Sequence, residues 1–394
     1  MFTRGNIQTI ALIICGGVLV LGIAMYVFDI NTTSYAKDIS RDVTLADRDH
    51  LVENTLPEKR TVTHQTMPDA VKGIYMSSWV ASTPHLREKL VDLIDTTELN
   101  AVVIDIKDST GKVSFVTDNA FLQEVGSLEN RIKDLPEFIE HLHEKNIYVI
   151  GRISVFQDPF LAVQRPELSL RKKSDGTVWK DKKGLSFLDP QNKYVWEYIV
   201  TLAKESYAIG FDEINFDYIR FPSDGNIADI QYGLDDTVHT RAEIIEQFFA
   251  HVRSELHNDE LHIPMSADLF GMTTTSQDDL GIGQVLEKAM PHFDAIAPMI
   301  YPSHYPKNWN NYANPAEKPF EVITDAMKSG NARAVQAGYT ADIFRPWIQD
   351  FNLGATYTAD KVRAQIKALD ALGIDSWLVW DPGNSYTTGA FLAE

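Results

Sequence analysis

Strand and helix alternating eight times, as in a (β/α)8 or TIM barrel, is the fold class this sequence predicts, and three observations carry it. First, apolar, β-rich runs recur along the chain, beginning near Gly73 (GIYMSSW), Ala101 (AVVIDIKD), Tyr148 (YVIGRISVF), Glu213 (EINFDYIRFP), His262 (HIPMSADLFG), Ala295 (AIAPMIYPS), Arg345 (RPWIQDF) and Ser376 (SWLVWDPG). Second, helical stripes at i, i+3, i+4, i+7 lie between them, among them Leu86/Leu90/Leu93/Ile94, Leu135/Phe138/Ile139/Leu142, Val195/Ile199/Leu202/Ala203 and Val362/Ile366/Leu369. Third, GIYMSSW runs into Pro84 with no Gly-rich phosphate loop, which counts against an open doubly wound sheet, the alternative architecture.

Taken from its beginning, the chain first offers residues 7–28, a stretch without a charged side chain and long enough to span a bilayer. Arg4 precedes it, and Asp29 and Asp38 follow, so the excess of positive charge predicts a cytoplasmic tail and an exported remainder. A cleaved signal peptide is the rival reading, with Ser34-Tyr35-Ala36 as its processing site, although the apolar core exceeds the usual 7 to 15 or so residues. The single cysteine, Cys15, falls inside this stretch, so the exported part has no disulfide. Residues 31–69 are polar and poor in aromatic side chains and read as a linker. The expected organisation is thus a membrane anchor over 1–30, a linker over 31–69 and a barrel over 70–394. Few residues remain after the eighth strand to cover it, and residues 39–56 are either a helix packed there, through Val43, Ala46, His50 and Leu51, or a plain tether.

Charge excludes one class of partner. The net charge of −19, from 55 acidic and 36 basic residues, would repel a phosphate backbone, so no nucleic acid is expected. Against that background, the run RKKSDGTVWKDKK at 171–183 reads as a solvated hairpin turning at Asp175-Gly176, or as a contact for an anionic polymer. His141 and His143 sit at i, i+2 on a helix and cannot share a metal, and no HExxH or Cys cluster occurs. Neither a metal nor another cofactor is expected.

The stretch GFDEINFDYIRFP at 210–222 organises the rest. Alternation along a strand puts Glu213, Asn215 and Asp217 on one face, with Asp217 near the carboxyl end, where barrel enzymes build their sites. The bland reading is an Asp that caps the next loop or pairs with Arg220. Other strand ends offer Asp105, Lys107, Arg152, Tyr218, Arg220, Asp268, Tyr301, His304, Gln349, Asp350, Trp380 and Asp381. This mixture suits sugars, whose hydroxyls take polar contacts and whose C–H faces stack on aromatic rings, while glycosidic cleavage needs two carboxyl groups. Two long loops, 157–190 and 303–319, follow the third and sixth strands and would shape a cleft.

GIYMSSW, NAVVIDIKD, DEINFDYIRFP, PMIYPSHY, RPWIQDF and WLVWDPGNSY together resemble a bacterial family of glycosyl hydrolase domains, over about residues 73–386. That resemblance implies a barrel and glycosidase chemistry but no particular sugar. The GFDEINFD pattern is also similar to the fourth-strand segment of alpha-amylase-like barrels, whose nucleophile is the final Asp of the run. Carried over, this nominates Asp217 as nucleophile. In those enzymes an acid/base Glu follows on the fifth strand and an Asp on the seventh, where this chain has Asp268 and Asp350, the first one methylene shorter than the family's Glu. Asp217, Asp268 and Asp350 are therefore the candidate catalytic residues, and Asp105, Lys107, Arg152, Tyr218, Arg220, Tyr301, His304, Gln349, Trp380 and Asp381 the candidate substrate-binding ones. The expected function is a membrane-anchored, extracytoplasmic glycoside hydrolase acting on an extracellular or cell-envelope polysaccharide. A barrel that binds glycan without cutting it is the alternative, and transglycosylation would use the same carboxyl chemistry.

Overall fold

The computed structural model describes residues 62–233 and 240–393. The expected anchor, the segment 39–56 and most of the expected linker lie outside these residues. Among the described residues, no helix is long and apolar enough to cross a membrane.

Eight parallel strands close into a barrel, as the sequence predicts. They are β1 (Lys72–Met76), β2 (Ala101–Lys107), β3 (Tyr148–Ser154), β4 (Glu213–Asp217), β5 (Met265–Phe270), β6 (Ala295–Met299), β7 (Trp347–Gln349) and β8 (Trp377–Trp380). Closure comes from β8 pairing with β1, Gly73 opposite Leu378 and Ile74 opposite Val379. Two strands start later than their apolar runs. Pro264 and Pro346 immediately precede β5 and β7, and a proline has no N–H to give to a ladder. Gly151 in β3 marks a tight approach, because a Cβ there would lie 2.2 Å from Ile106 Cδ1 and 2.9 Å from Phe211 Cδ1.

The helical stripes become the barrel's outer layer. Helices α1 (Pro84–Asp95), α2 (Leu135–Glu144), α3 (Lys193–Ile209), α4 (Arg241–Leu256), the single turn α5 (Leu286–Ala289), α6 (Pro319–Gln336) and α7 (Ala359–Asp370) connect successive strands. Their apolar faces are buried, for example Leu135, Phe138, Ile139 and Leu142 of α2. Proline at the first turn of α1 and α6 presets the helical φ where an N–H would lack a partner anyway. Thr240 and Glu243 form a reciprocal capping box on α4. Beyond β8 the chain makes only a short 3-10 turn, Thr388–Ala390, after which Phe391 stacks on Trp377 at 6.3 Å and Ala393 bridges to Thr97. Residues 391–393 thus cover part of the outer side of β8.

Inside the barrel the lower layer is polar. Glu213 accepts hydrogen bonds from Arg345 Nη1 at 2.7 Å, Ser266 Oγ at 2.6 Å and Tyr148 OH at 3.2 Å. A buried ion pair whose carboxylate takes two further hydrogen bonds forms the floor on which the site rests. Beneath it, the described end of the expected linker packs against the amino-terminal mouth of the barrel. Gln65 N donates to Asp212 Oδ1 at 2.7 Å, His64 stacks on Tyr207 at 3.8 Å, and Met67 Sδ lies 3.2 Å from Arg345 Nη2. On the opposite, carboxyl-end face, the loop 157–190 forms the anticipated hairpin, with Arg171 bridged to Val178 around a turn in which Gly176 has φ 72. Arg171–Lys172 also pairs antiparallel with Ile230–Gln231, which ties this loop to the one after β4.

Candidate active site

Strand alternation explains how the site assembles. Arg152 on β3 stands in register with Asp105 on β2 and Asn215 on β4, all three projecting inward, and the inward-facing Asp217 and Asp268 close the upper layer. Arg152 is its hub. Its Nη1 donates to Asp105 Oδ1 at 2.6 Å, its Nη2 to Asp217 Oδ2 at 2.5 Å, and its Nε lies 3.9 Å from Asp268 Oδ2. A planar guanidinium holds such a set rigidly. Those two contacts and the width of one guanidinium limit the gap between the facing Asp217 and Asp268 oxygens to roughly 9 Å, within the upper bound of about 9.5 Å for glycosidase carboxyl pairs.

Each carboxylate is also fixed from a second side. Asp105 Oδ2 accepts from Tyr75 OH at 2.6 Å. Asp217 Oδ1 accepts from the backbone N–H of Tyr218 at 2.6 Å, and Tyr218 itself takes a left-handed conformation with φ 52. A bulky residue seldom adopts that geometry, and it occurs here at the point where the chain leaves β4 beside the candidate nucleophile. Asp268 Oδ1 accepts from Trp347 Nε1 at 2.7 Å and from Asn215 Nδ2 at 2.9 Å.

Burial and like charge raise the proton affinity of Asp268, Asp105 and Tyr301. Burial, reinforced by the Asp217 charge, pushes the Asp268 carboxyl up to about 8. Burial likewise raises Asp105, with Arg152 opposing it. The Tyr301 phenol is moved far above its usual range by burial and then by Asp268 and Asp217, which places this ring beside the carboxyl pair. Asp268 is 2% exposed and Asp217 5%, so both sit at the base of the mouth rather than on its rim.

Aromatic rings wall the mouth. Trp380 stacks on Tyr75 at 4.0 Å and meets Trp347 edge-on at 5.5 Å, with the Arg152 guanidinium 5.2 Å from its centre. Next to them Tyr301, His304 and Phe351 form an edge-to-face cluster with spacings of 5.3, 5.6 and 5.9 Å. Tyr218 and Arg220 adjoin Asp217 on the loop after β4, their ring and guanidinium 5.0 Å apart.

Not every strand-end candidate reaches this centre. Lys107 is fully buried and turned away, its Nζ 2.9 Å from Asp158 Oδ2 and 2.5 Å from the Ser154 carbonyl oxygen, so it locks β2 to the loop after β3 instead of meeting substrate. Removing one partner of such a pair strands the other, and Lys107→Met is expected to lower stability by about 3 kcal/mol or more at neutral pH in denaturant titrations. An unchanged midpoint would show that the pair contributes nothing. Asp350, raised by burial to about 6, spends both oxygens on Thr387, from whose N–H and hydroxyl it accepts at 2.7 Å each. It anchors the segment that follows β8, and neither of these hydrogen bonds joins the Arg152 network. Gln349 positions the Ser303 N–H at 3.1 Å and the Phe351 carbonyl at 2.8 Å, an indirect support for the aromatic cluster. Asp381 accepts from the Gly383 N–H and shapes the turn after β8. Among the described residues no group of His, Cys, Asp and Glu could hold a metal.

Three members of the centre were not singled out by sequence: Tyr75, Asn215 and Trp347. Asn215 shares the inward face with Asp217 and was legible there. Tyr75 and Trp347 lie in the runs GIYMSSW and RPWIQDF, which mark strands, but nothing in a run says which ring will donate to a carboxylate on a neighbouring strand.

A family model described as "Putative glycosyl hydrolase domain" matches residues 73–386. Among solved structures, a hypothetical protein from Ruminiclostridium thermocellum is 33% identical, covering 53% of this chain and 98% of its own, with a TM-score of 0.45. The PgaB (BpsB) glycoside hydrolase domain from Bordetella bronchiseptica is 12% identical and covers 80% of this chain and 95% of its own at a TM-score of 0.56. Alpha-L-fucosidase isoenzyme 2 from Paenibacillus thiaminolyticus is 15% identical, covering 82% and 48% at 0.52. The last two likenesses concern the fold. No curated protein matches the chain.

Proposed function

The chain belongs to the "Putative glycosyl hydrolase domain" family, and from that premise we propose that it cleaves glycosidic bonds with Asp217 and Asp268 as its carboxyl pair. The observation that carries this is the inequality of the two groups. Asp268 is buried, accepts hydrogen bonds on one oxygen only, and keeps its proton to about pH 8, as a general acid must. Asp217 lies beside it with Oδ2 on Arg152 and Oδ1 on the Tyr218 N–H, oriented to stabilise or attack an oxocarbenium-like centre. A barrel that only held glycan would have no use for a carboxyl that retains its proton at neutral pH.

In this reading the sugar at the cleavage point lies over the Trp380–Tyr75 stack, its apolar face on the rings and its hydroxyls near Asp105 and Arg152. Asp268 gives its proton to the departing oxygen while Asp217 opposes the charge that develops at the anomeric carbon. Water then completes hydrolysis, with Asp268 returning as base. The substrate is a polysaccharide outside the cytoplasm, in the cell envelope or beyond it, and residues 7–28 hold the domain to the membrane. The uncharged length of that stretch, with Arg4 before it and acidic residues after it, supports this placement.

The test is to incubate the full chain, in detergent, with cell-envelope digests and a glycan panel, measuring binding and newly formed reducing ends together. Reducing ends from at least one polymer are expected. Tight binding without any would leave a glycan-holding module.

A further inference from the structure

Among the described residues, Arg220 at this mouth forms no ion pair with a carboxylate. Where Arg152 is shared among Asp105, Asp217 and Asp268, the guanidinium of Arg220 makes, among the described residues, a single hydrogen bond, from Nη1 to the Phe221 carbonyl at 3.0 Å, and no ion pair. Yet the residue is only 8% exposed. Phe270, Tyr218 and Phe187 surround its guanidinium with ring centres 4.6, 5.0 and 5.7 Å away. Its one hydrogen bond engages Nη1 alone. Burial outweighs the charges of Asp217, Asp224 and Asp181, which act on the guanidinium without forming an ion pair with it, so these carboxylates and the aromatic faces offset only part of the cost of burying the cation.

A second feature lies on the same wall. Phe187 belongs to the loop 157–190, whose hairpin at 171–183 has six basic and two acidic residues in a chain with net charge −19. Lys173, Lys180, Lys182 and Lys183 are exposed, and among the described residues none of these side chains forms an ion pair. The hairpin is pressed onto the loop that carries Arg220. Trp179 Nε1 donates to the Asn226 carbonyl at 3.0 Å, and a Cβ on Gly225 would lie 2.9 Å from Trp179 and 3.1 Å from the Asp181 Cα. Lys183 is near enough to depress the His304 imidazole, after burial, which brings the hairpin's charge to the rim of the mouth. Free cations concentrated on one wall of a cleft raise the local concentration of anionic substrate.

We propose that this wall is a subsite for an acidic sugar: Arg220 grips an anionic substituent, a uronate carboxylate or a sulfate ester, next to the cleavage point, and the hairpin lysines draw in the acidic chain beyond it. This rests on the glycosidase reading for the position of the cleavage point but not for binding. A guanidinium holds a carboxylate or a sulfate bidentately, whereas a neutral hydroxyl would leave its charge uncompensated.

The test uses the full chain with polygalacturonate, alginate and hyaluronate, each beside its carboxyl-reduced form, and with a sulfated galactan beside its desulfated form. Binding is measured with the Asp217→Asn variant and release of reducing ends with the wild type. At least one acidic polymer should bind or turn over tenfold or more better than its neutralised partner, and the two pairings identify which anion is read. Arg220→Gln should shrink that ratio toward one, and Arg220→Lys should restore part of it. If the Arg220 variants fold poorly, Lys180→Gln/Lys182→Gln/Lys183→Gln on the exposed hairpin should weaken binding of the acidic polymer and flatten its salt dependence. Equal handling of acidic and neutralised forms, or failure to bind any acidic polymer, overturns the proposal. Acidic polymer bound selectively but never cut keeps the subsite and removes the glycosidase; neutral polymer cut without preference does the reverse.

Discussion

Asp217→Asn is expected to abolish turnover while the barrel folds as before. The amide has nearly the volume of the carboxylate, its one oxygen can accept from either the Tyr218 N–H or Arg152 Nη2 but not both, and Arg152 keeps its bond to Asp105. What disappears is the negative charge that either attacks or opposes the oxocarbenium-like centre. Losing a nucleophile or the main electrostatic stabiliser costs about three or more orders of magnitude in kcat. Measured as released reducing ends on any polymer the wild type cuts, turnover within tenfold of wild type would sink the assignment. A circular dichroism spectrum and melting curve close to wild type guard against reading misfolding as lost chemistry.

Why Asp217 could be found before any coordinates, and Arg152's role could not, follows from what each depends on. Asp217 is local: strand alternation and the Pro222 stop place it on an inward face near a carboxyl end. The same logic gave the closed barrel, since eight apolar runs and their helical stripes are each a property of a short window. Arg152 was visible as a strand-end residue, but its grip on Asp105, Asp217 and Asp268 depends on the relative register of β2, β3, β4 and β5, which no window contains. Lys107 shows the converse. It stands two residues beyond Asp105, so plain alternation would aim it into the mouth as well, but the register slips between them and Lys107 is buried against Asp158. Asp350 looked catalytic from the likeness to alpha-amylase-like barrels, yet this chain gives that position to Thr387, a residue of the short tail after β8. Arg220 read as a substrate contact, or as the partner of Asp217; among the described residues it forms no ion pair, and Arg152 from the neighbouring strand holds that carboxylate.

Asp268 should set the alkaline limit of the reaction. Burial first, and the Asp217 charge second, hold its carboxyl protonated to about 8, so kcat/KM should be sustained through neutral pH and fall as the acid ionises above that value. Asp268→Asn removes the proton donor, and general-acid catalysis of this kind is worth about 10² to 10⁴ in rate. Polymers with alkoxide leaving groups should show that full loss, whereas an activated aryl glycoside, whose departing oxygen needs no proton, should lose much less, and the alkaline limb should vanish with the donor. Equal losses on both substrates would move the acid role elsewhere. Stability supplies an independent readout. The folded state binds this proton more tightly than the unfolded chain, so stability from this group is fullest at low pH and falls as pH rises from its ordinary value of 3.8 to about 8. An Asn at this position has no proton to lose, and its carbonyl can still accept from Trp347 Nε1 and Asn215 Nδ2. Asp268→Asn should therefore melt higher relative to wild type at pH 9 than at pH 4. A difference independent of pH would mean that the Asp268 carboxyl is not the buried, proton-retaining group on which the proposed acid catalysis depends.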